Sequence, residues 1–218
     1  MLFIKKSGSD KLRTVVDLRK RNKNTLKMLA PLPDIDGILW RVSKGKYCSI
    51  IDGQDAYEQI QIVPEHIECS AIMMPDRNIM SMVIQIGDCN APSTYQALMN
   101  YLFGNYIGWW MDVYLDDIIM YSNILEEHVE HVSTVLEILW REQLYLSEGK
   151  LRFLCKEMKI LGRIVDDDGI RMDPDKVDLV VNWKTPTNHD LLWGFIGSVG
   201  YLLMISTKLG FQWEYYQQ

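Results

Sequence analysis

Two adjacent aspartates interrupt the apolar run Met111-Asp-Val-Tyr-Leu-Asp-Asp-Ile-Ile-Met-Tyr121. The flanking Val, Tyr and Ile residues favour strands, where Asp is depleted. Asp116 and Asp117 therefore belong at the tip of a tight hairpin, with a strand on either side. Two carboxylates about 4 Å apart repel by roughly 4 kcal/mol at an effective dielectric of about 20. Water relieves that repulsion at an exposed turn, and a divalent cation relieves it better. The run is either a solvated turn or a magnesium site.

Size and charge narrow the choice. A chain of 218 residues, 48% of them apolar, is long enough for one or two domains with a real core. No stretch reaches about 18 uncharged apolar residues, so no transmembrane helix and no membrane partner are expected. In Met1-Leu-Phe-Ile-Lys-Lys6 the charges follow the apolar stretch, the reverse of a secretion signal, so an intracellular, non-secreted protein is expected. The four cysteines lack Cys-x-x-Cys spacing and read as reduced thiols. Residues 1–50 carry twelve Lys/Arg and four Asp/Glu, a surplus of +8, which leaves −14 on the rest of a chain whose net charge is −6. The basic first fifth points to an anionic partner or to a solvated surface. The acidic remainder argues against nucleic-acid binding.

Short β-like pieces are expected at Leu2–Lys6 and Arg13–Leu18, and Asp34 caps a helix to about Val42. Tyr47–Ile51 reads as a buried strand ending at Asp52. Cys69–Met74 and Ile79–Ile84 read as hairpin arms around Pro75-Asp-Arg-Asn78. Pro92 opens a helix carrying Tyr95, Leu98, Met99 and Leu102. Leu125, Val129, Val132, Leu136 and Leu139 define one helical face, with Asn123 and Glu126 placed as a capping box. Met158–Val165 and Ile170–Met172 form a hairpin about the turn Asp166-Asp-Asp-Gly169. Asp173-Pro174 opens a helix to about Trp183, and a last helix carries Leu191, Leu192, Phe195, Ile196 and Val199. Mixed elements with frequent hairpins predict an α+β fold with a mainly antiparallel sheet.

If the strand ending at Asp52 neighbours the hairpin, Asp52, Asp116 and Asp117 converge. Hard oxygen ligands with little histidine suit magnesium. Two magnesium ions make a phosphoryl-transfer site, and a basic segment such as Lys5, Lys6 and Arg13 would neutralise a triphosphate.

With these parts in view, the chain resembles the reverse transcriptase domain of gypsy-type long-terminal-repeat retrotransposons, from about residue 3 to 205. Leu12-Arg-Thr-Val-Val-Asp-Leu-Arg-Lys-Arg-Asn22 resembles the fingers segment. Ser49-Ile-Ile-Asp-Gly-Gln-Asp-Ala-Tyr-Glu-Gln-Ile60, Gly87-Asp-Cys-Asn-Ala-Pro-Ser-Thr-Tyr-Gln-Ala-Leu-Met-Asn100 and Tyr114-Leu-Asp-Asp117 resemble the first three palm motifs. Leu144-Tyr-Leu-Ser-Glu-Gly-Lys150 resembles the fourth, and Ile160-Leu-Gly162 the primer grip. Asp173-Pro-Asp-Lys-Val177 and Trp183-Lys-Thr-Pro-Thr-Asn188 resemble the start of a thumb.

The resemblance implies a right-hand polymerase with fingers at 1–46 and 60–87, palm at 47–59 and 88–172, and a partial thumb at 173–218. It implies RNA-directed DNA synthesis from dNTPs on an RNA template and DNA primer, with two magnesium ions or manganese as a substitute. Asp52, Asp116 and Asp117 would be catalytic and metal-binding, with the Gly53 carbonyl a minor ligand. Lys6 and Arg13 would grip the triphosphate, and the amides of Asp55 and Ala56 would meet its phosphates. Tyr57 would select dNTPs by rejecting a 2′-hydroxyl. Gln96 would support the nucleotide pocket, and Lys150 would lie near the pyrophosphate as a proton donor. Ile160, Leu161 and Gly162 would form the primer grip. Such a protein would work in a cytoplasmic particle or the nucleus.

The chain departs from the family pattern at several positions. Gly53 stands where a leucine or valine is common, Asp88 for a leucine, and Gln85-Ile86 for Pro-Phe. Asp112 enters a strand that is normally apolar, Cys69 replaces a basic residue, and Arg77 a turn glycine. Leu203 and Met204 stand where the thumb has paired arginines. Ribonuclease H and integrase segments are missing, so a fragment of a longer polyprotein is expected. The alternative reading is a catalytically inactive remnant that keeps the fold and binds nucleic acid weakly.

Overall fold

The computed structural model describes residues 2–5, 12–166 and 168–215. Its centre is a three-stranded antiparallel sheet of β3 (Tyr47–Asp52), β6 (Met111–Tyr114) and β7 (Asp117–Ser122), with β7 in the middle. The run Asp117–Ser122 lacks polar alternation because both faces of β7 are covered. On one face, Ile118 and Met120 join Tyr95, Met99 and Phe103 of α3 (Ala91–Phe103) and Val135, Ile138 and Leu139 of α4 (Leu125–Arg141). On the other, Ile119 and Tyr121 join Ile38, Leu39 and Val42 of α2 (Ile35–Val42). That second face also takes Met158, Ile160 and Val165 from a smaller sheet of β8 (Glu157–Ile160), β9 (Arg163–Asp166) and β10 (Gly169–Met172).

The remaining elements surround this sandwich. β1 (Leu2–Lys5) and β2 (Leu12–Val15) pair antiparallel, and α1 (Arg19–Asn24) follows them. Asp34 caps α2 by accepting from the amides of Asp36 and Gly37. Asp173 caps α5 (Pro174–Val181) by accepting from Asp175 N, and Asn188 Oδ1 accepts from Leu191 N near the start of α6 (His189–Tyr215). Among the described residues no helix is long and apolar enough to cross a membrane.

The α+β class and the antiparallel pairing agree with the sequence, and several local expectations are corrected. The strand expected over 158–165 is two strands, because Leu161 (φ 51°) and Gly162 (φ 77°) both adopt the left-handed region and turn the chain back. The hairpin arms expected at 69–74 and 79–84 shrink to β4 (Ile72–Met73) and β5 (Asn78–Ile79). A 3₁₀ turn over Pro64–Ser70 takes up Cys69, and the Ser70 hydroxyl, not a backbone ladder, binds the Ser81 backbone. The Asn123–Glu126 capping box does not form. Helix α4 begins one residue later, with Ile124 at the cap and no side-chain hydrogen bond there. Helix α1 has no apolar periodicity and no buried residue, so nothing in the pattern announces it.

Two buried polar groups tie helices to the sheet. His128 of α4 lies between the hydroxyls of Ser49 on β3 (2.8 Å) and Ser122 on β7 (2.9 Å). Asp112 of β6, only 1% exposed, accepts from Arg41 Nε (2.9 Å) and Nη2 (2.8 Å) of α2 and from the Tyr121 hydroxyl (2.9 Å). The unexpected aspartate in an apolar strand is thus the anchor for α2. Removing one partner of such a buried pair costs about 3–5 kcal/mol, because the other charge stays buried. We expect Arg41→Ala to lose about 3 kcal/mol, read as a lower urea midpoint at unchanged slope. The double variant Arg41→Met/Asp112→Leu should recover most of it. A loss below about 1 kcal/mol in the single variant would show that the pair does not hold α2.

Candidate active site

Sheet register brings the sequence-distant carboxylates together. The last rung of the β3–β7 ladder places Asp52 opposite Asp117, and Tyr114 pairs with Asp117 across the hairpin. The two-residue tip is Leu115-Asp116, with Leu115 in the left-handed region at φ 52°. A leucine there costs about 1–3 kcal/mol, a strain that persists only where the surroundings enforce it. Gln96 supplies the enforcement. Fully buried on α3, it accepts from Leu115 N through Oε1 at 2.9 Å and donates through Nε2 to Val113 O at 3.3 Å. Gln96 thus braces the carboxylate-bearing turn from behind and does not line the cleft. Its polar side chain on the apolar face of Tyr95, Met99 and Phe103 was the sequence signal for this role.

The cleft in front of the turn is lined by Asp52, Gly53, Gln54, Asp55, Ala56, Tyr57, Ile86, Asp116, Ser147 and Lys150. Asp55 precedes a short 3₁₀ turn, Ala56–Gln59, and holds φ 45°. That turn delivers Tyr57, whose ring meets Tyr95 edge-on at 5.9 Å. Burial, then the charge of and hydrogen bond to Asp116, push the Tyr57 pKa up to about 12, so its hydroxyl stays a donor to Asp116. Gly53 is explained here. A Cβ at that position would meet the Tyr95 hydroxyl at 2.9 Å and Ala56 Cβ at 3.3 Å, so a larger side chain would displace Tyr95. Tyr95, placed by the sequence on the helix opened by Pro92, is the floor on which Tyr57 stands.

Lys150 Nζ binds both Asp52 oxygens at 2.9 Å. The segment carrying it is fixed to β3 by Ser147 N donating to Asp52 O (3.1 Å) and Gln54 N donating to Tyr145 O (3.0 Å). Ile160, Leu161 and Gly162 lie away from the cleft. Ile160 is buried core, and Leu161 and Gly162 form the β8–β9 tip. Lys6 lies outside the described residues, and of Arg13 only the backbone, paired with Ile4, is described.

Among the described residues no three acidic, histidine or cysteine groups form a ready metal cage. Asp52 faces Lys150 and Asp116 takes the Tyr57 hydroxyl. Magnesium does not require such a cage, since it is commonly held by one or two carboxylates plus substrate phosphates. Asp52 and Asp116, both on the cleft wall, fit that donor set.

The architecture is that of reverse transcriptases. It is similar to the foamy viral protease-reverse transcriptase solved in complex with RNA/DNA hybrid, with a TM-score of 0.77 and 23% identity, over 91% of this chain and 28% of that one. Residues 4–165 match the family model described as reverse transcriptase (RNA-dependent DNA polymerase), and the chain belongs to that family. It is 35% identical over 195 residues to the retrovirus-related Pol polyprotein from transposon 297 of Drosophila melanogaster, covering 89% of this chain and 18% of that protein. The Pol polyprotein from transposon gypsy of the same organism is 30% identical over 194 residues, covering 89% and 19%. The chain thus spans about a fifth of the length of these curated relatives.

Asp117 provides a test of the site's electrostatics. Burial first, then the charges of Asp52 and Asp116, push its pKa up to about 6 from 3.8. The folded state therefore keeps this proton longer than the unfolded chain. Stability from this group is full below about pH 4, falls as pH rises to about 6, and is then flat. Asp117→Asn should unfold at higher urea than the parent in EDTA at pH 7, by about 1–3 kcal/mol, with the advantage vanishing near pH 4. A pH-independent difference would contradict the assignment.

Proposed function

We propose that this domain is an RNA-directed DNA polymerase that adds dNTPs to a primer 3′-hydroxyl, with Asp52, Asp116 and Asp117 as its carboxylate triad. The observation that carries the reading is the register that sets Asp52 against the Asp116-Asp117 tip, with Tyr57 bound to Asp116 beside it. Fingers at 1–46 and 60–87, palm at 47–59 and 88–172, and thumb from 173 follow from the same reading. The site would sit on the palm sheet.

Magnesium held by Asp52 and Asp116, with the Gly53 carbonyl as a minor ligand, would lower the cost of charge on the attacking hydroxyl and on the departing pyrophosphate. The chain's own groups do the rest. The turn at Asp55–Ala56, on the cleft wall, would offer backbone amides to the phosphates, and Lys6 and Arg13 would add positive charge. Tyr57, standing on Tyr95 at the cleft wall, would meet the sugar and reject a 2′-hydroxyl. Lys150 neutralises Asp52 in the free protein. With nucleotide bound, its ammonium would move to the pyrophosphate and donate a proton there. Asp117, set back from the cleft, shapes the field at the other two carboxylates. RNA template and DNA primer would be the partners, as the foamy viral complex with an RNA/DNA hybrid supports.

A second reading has its own observation. Residues beyond 50 carry −14, and Leu203 and Met204 replace expected thumb arginines, so a silent, weakly binding domain is the rival. Primer extension with RNA template, DNA primer, dNTPs and magnesium separates them. Extension is expected. Its absence across salt and metal conditions would favour the rival. Asp116→Ala should lower the rate by about a thousandfold or more, roughly 4 kcal/mol of barrier, and retained extension would overturn the triad. Tyr57→Val should raise ribonucleotide incorporation relative to dNTPs, and an unchanged ratio would remove Tyr57 from the selection role.

A further inference from the structure

Strand β3 is an edge of the central sheet, and residues 152–155 run along it. Ile50 and Arg152 exchange both backbone hydrogen bonds, at 2.8 and 3.0 Å. Leu154 N donates to the Ser49 hydroxyl at 3.1 Å, and Cys155 N donates to Cys48 O at 2.9 Å. Leu154 holds φ 51° and bulges the chain, so Leu154 and Cys155 together oppose Cys48. Residues bonded across an antiparallel pair have Cα atoms about 5.5 Å apart. A disulfide spans about 4.4–6.8 Å between Cα atoms, so the backbones of Cys48 and Cys155 are spaced for one.

The side chains share a face. Cys48, 6% exposed, and the half-buried Cys155 pack in the same apolar cluster, with Met158 and Val165. Both also line one cavity, together with Lys44, Lys46 and Lys156. The acid in that lining, Asp166, is held by Arg171 at 2.8 Å. Both cysteines are thiols in the structure. Cys48 Sγ lies 3.6 Å from Gly45 O and 3.7 Å from Val42 O, weak thiol contacts that a side-chain rotation gives up at little cost.

We propose that Cys48 and Cys155 form a disulfide when the protein meets a small disulfide oxidant such as glutathione disulfide. The lysines around the cavity draw in the carboxylates of that reagent. Cys155, the more exposed thiol, reacts first. Its thiolate attacks one sulfur of the reagent, whose S–S bond breaks, and one glutathione leaves with the proton that Cys155 gave up. The Cys48 thiolate then attacks the Cys155 sulfur, the mixed disulfide breaks, and the second glutathione leaves with the Cys48 proton. Two protein thiols are oxidised and one reagent disulfide is reduced to two thiols. Burial pushes the Cys155 thiol up while the Arg152 charge pulls it down, so the thiolate is scarce and the exchange slow. The product joins β3, which ends at Asp52, to the segment that follows Lys150. The bond rests on the fold and not on the polymerase reading.

The test uses the full chain carrying Cys69→Ser and Cys89→Ser, equilibrated in glutathione buffers from reducing to oxidising. Free thiols are alkylated, and the protein is digested without reduction and mapped by mass spectrometry. A Cys48–Cys155 cross-link should accumulate under native conditions and disappear with dithiothreitol. The melting midpoint of the oxidised form should rise by about 5–15 °C, the usual stabilisation by a disulfide closing a loop of about 100 residues. Cys155→Ala, changed at the half-buried partner, should lose both the cross-link and the shift. Cys155 held only as its glutathione adduct, both thiols unreacted, or a cross-link formed only in urea would overturn the proposal. So would an oxidised form that melts no higher than the reduced one.

Discussion

Two like charges face each other across the last rung of a β-ladder, and much of the molecule serves to hold them there. Asp52 and Asp117 are register partners at the end of β3 and β7, with Asp116 beside them on the tip. In an isolated hairpin, repulsion would splay this end. Here the strands are clamped on both faces, by α3 and α4 on one side and by α2 and the β8–β10 sheet on the other. Gln96 holds the strained tip and Lys150 neutralises Asp52. Burial first, and then the charges of Asp52 and Asp116, raise the pKa of Asp117, a destabilising arrangement of the kind found where function demands it.

Three departures from the family pattern come with their own structural partners. Gly53 makes room for the Tyr95 hydroxyl beneath Tyr57. Asp88 binds Arg21 at 2.7 Å and caps the amide of Asn90 at 2.9 Å, while Asn22 donates to Gly87 O at 2.9 Å, so α1 is clasped to the loop before α3. Asp112 anchors α2 through Arg41. Arg77 pairs with its exposed neighbour Asp76, and nothing in the structure explains Cys69.

Strand runs, helix caps and the polymerase motifs were legible in order, because each depends on local periodicity, on a capping side chain or on short-range spacing. Asp34 and Asp173 cap as their sequence contexts indicate. The failures are equally physical. Helix α1 buries nothing, so no apolar stripe marks it. The Leu161-Gly162 reversal sits inside an apolar run, where a turn of leucine and glycine carries no polar punctuation. Gln96, Tyr95 and Asp112 were legible as residues but not as partners, since their contacts come from elements far apart in the chain.

The amino-acid sequence alone determined the α+β class, the hairpin that carries Asp116 and Asp117, and the family to which the chain belongs. These follow from strand propensity, turn chemistry and motif spacing, all properties of neighbouring residues. Only the tertiary structure decided that Asp52 stands opposite Asp117, that Lys150 covers Asp52, and that Lys176 lies over the distant Leu161-Gly162 turn. Register between strands sixty-five residues apart, and the pairing of particular carboxylates with particular cations, are set by packing, which no single segment encodes.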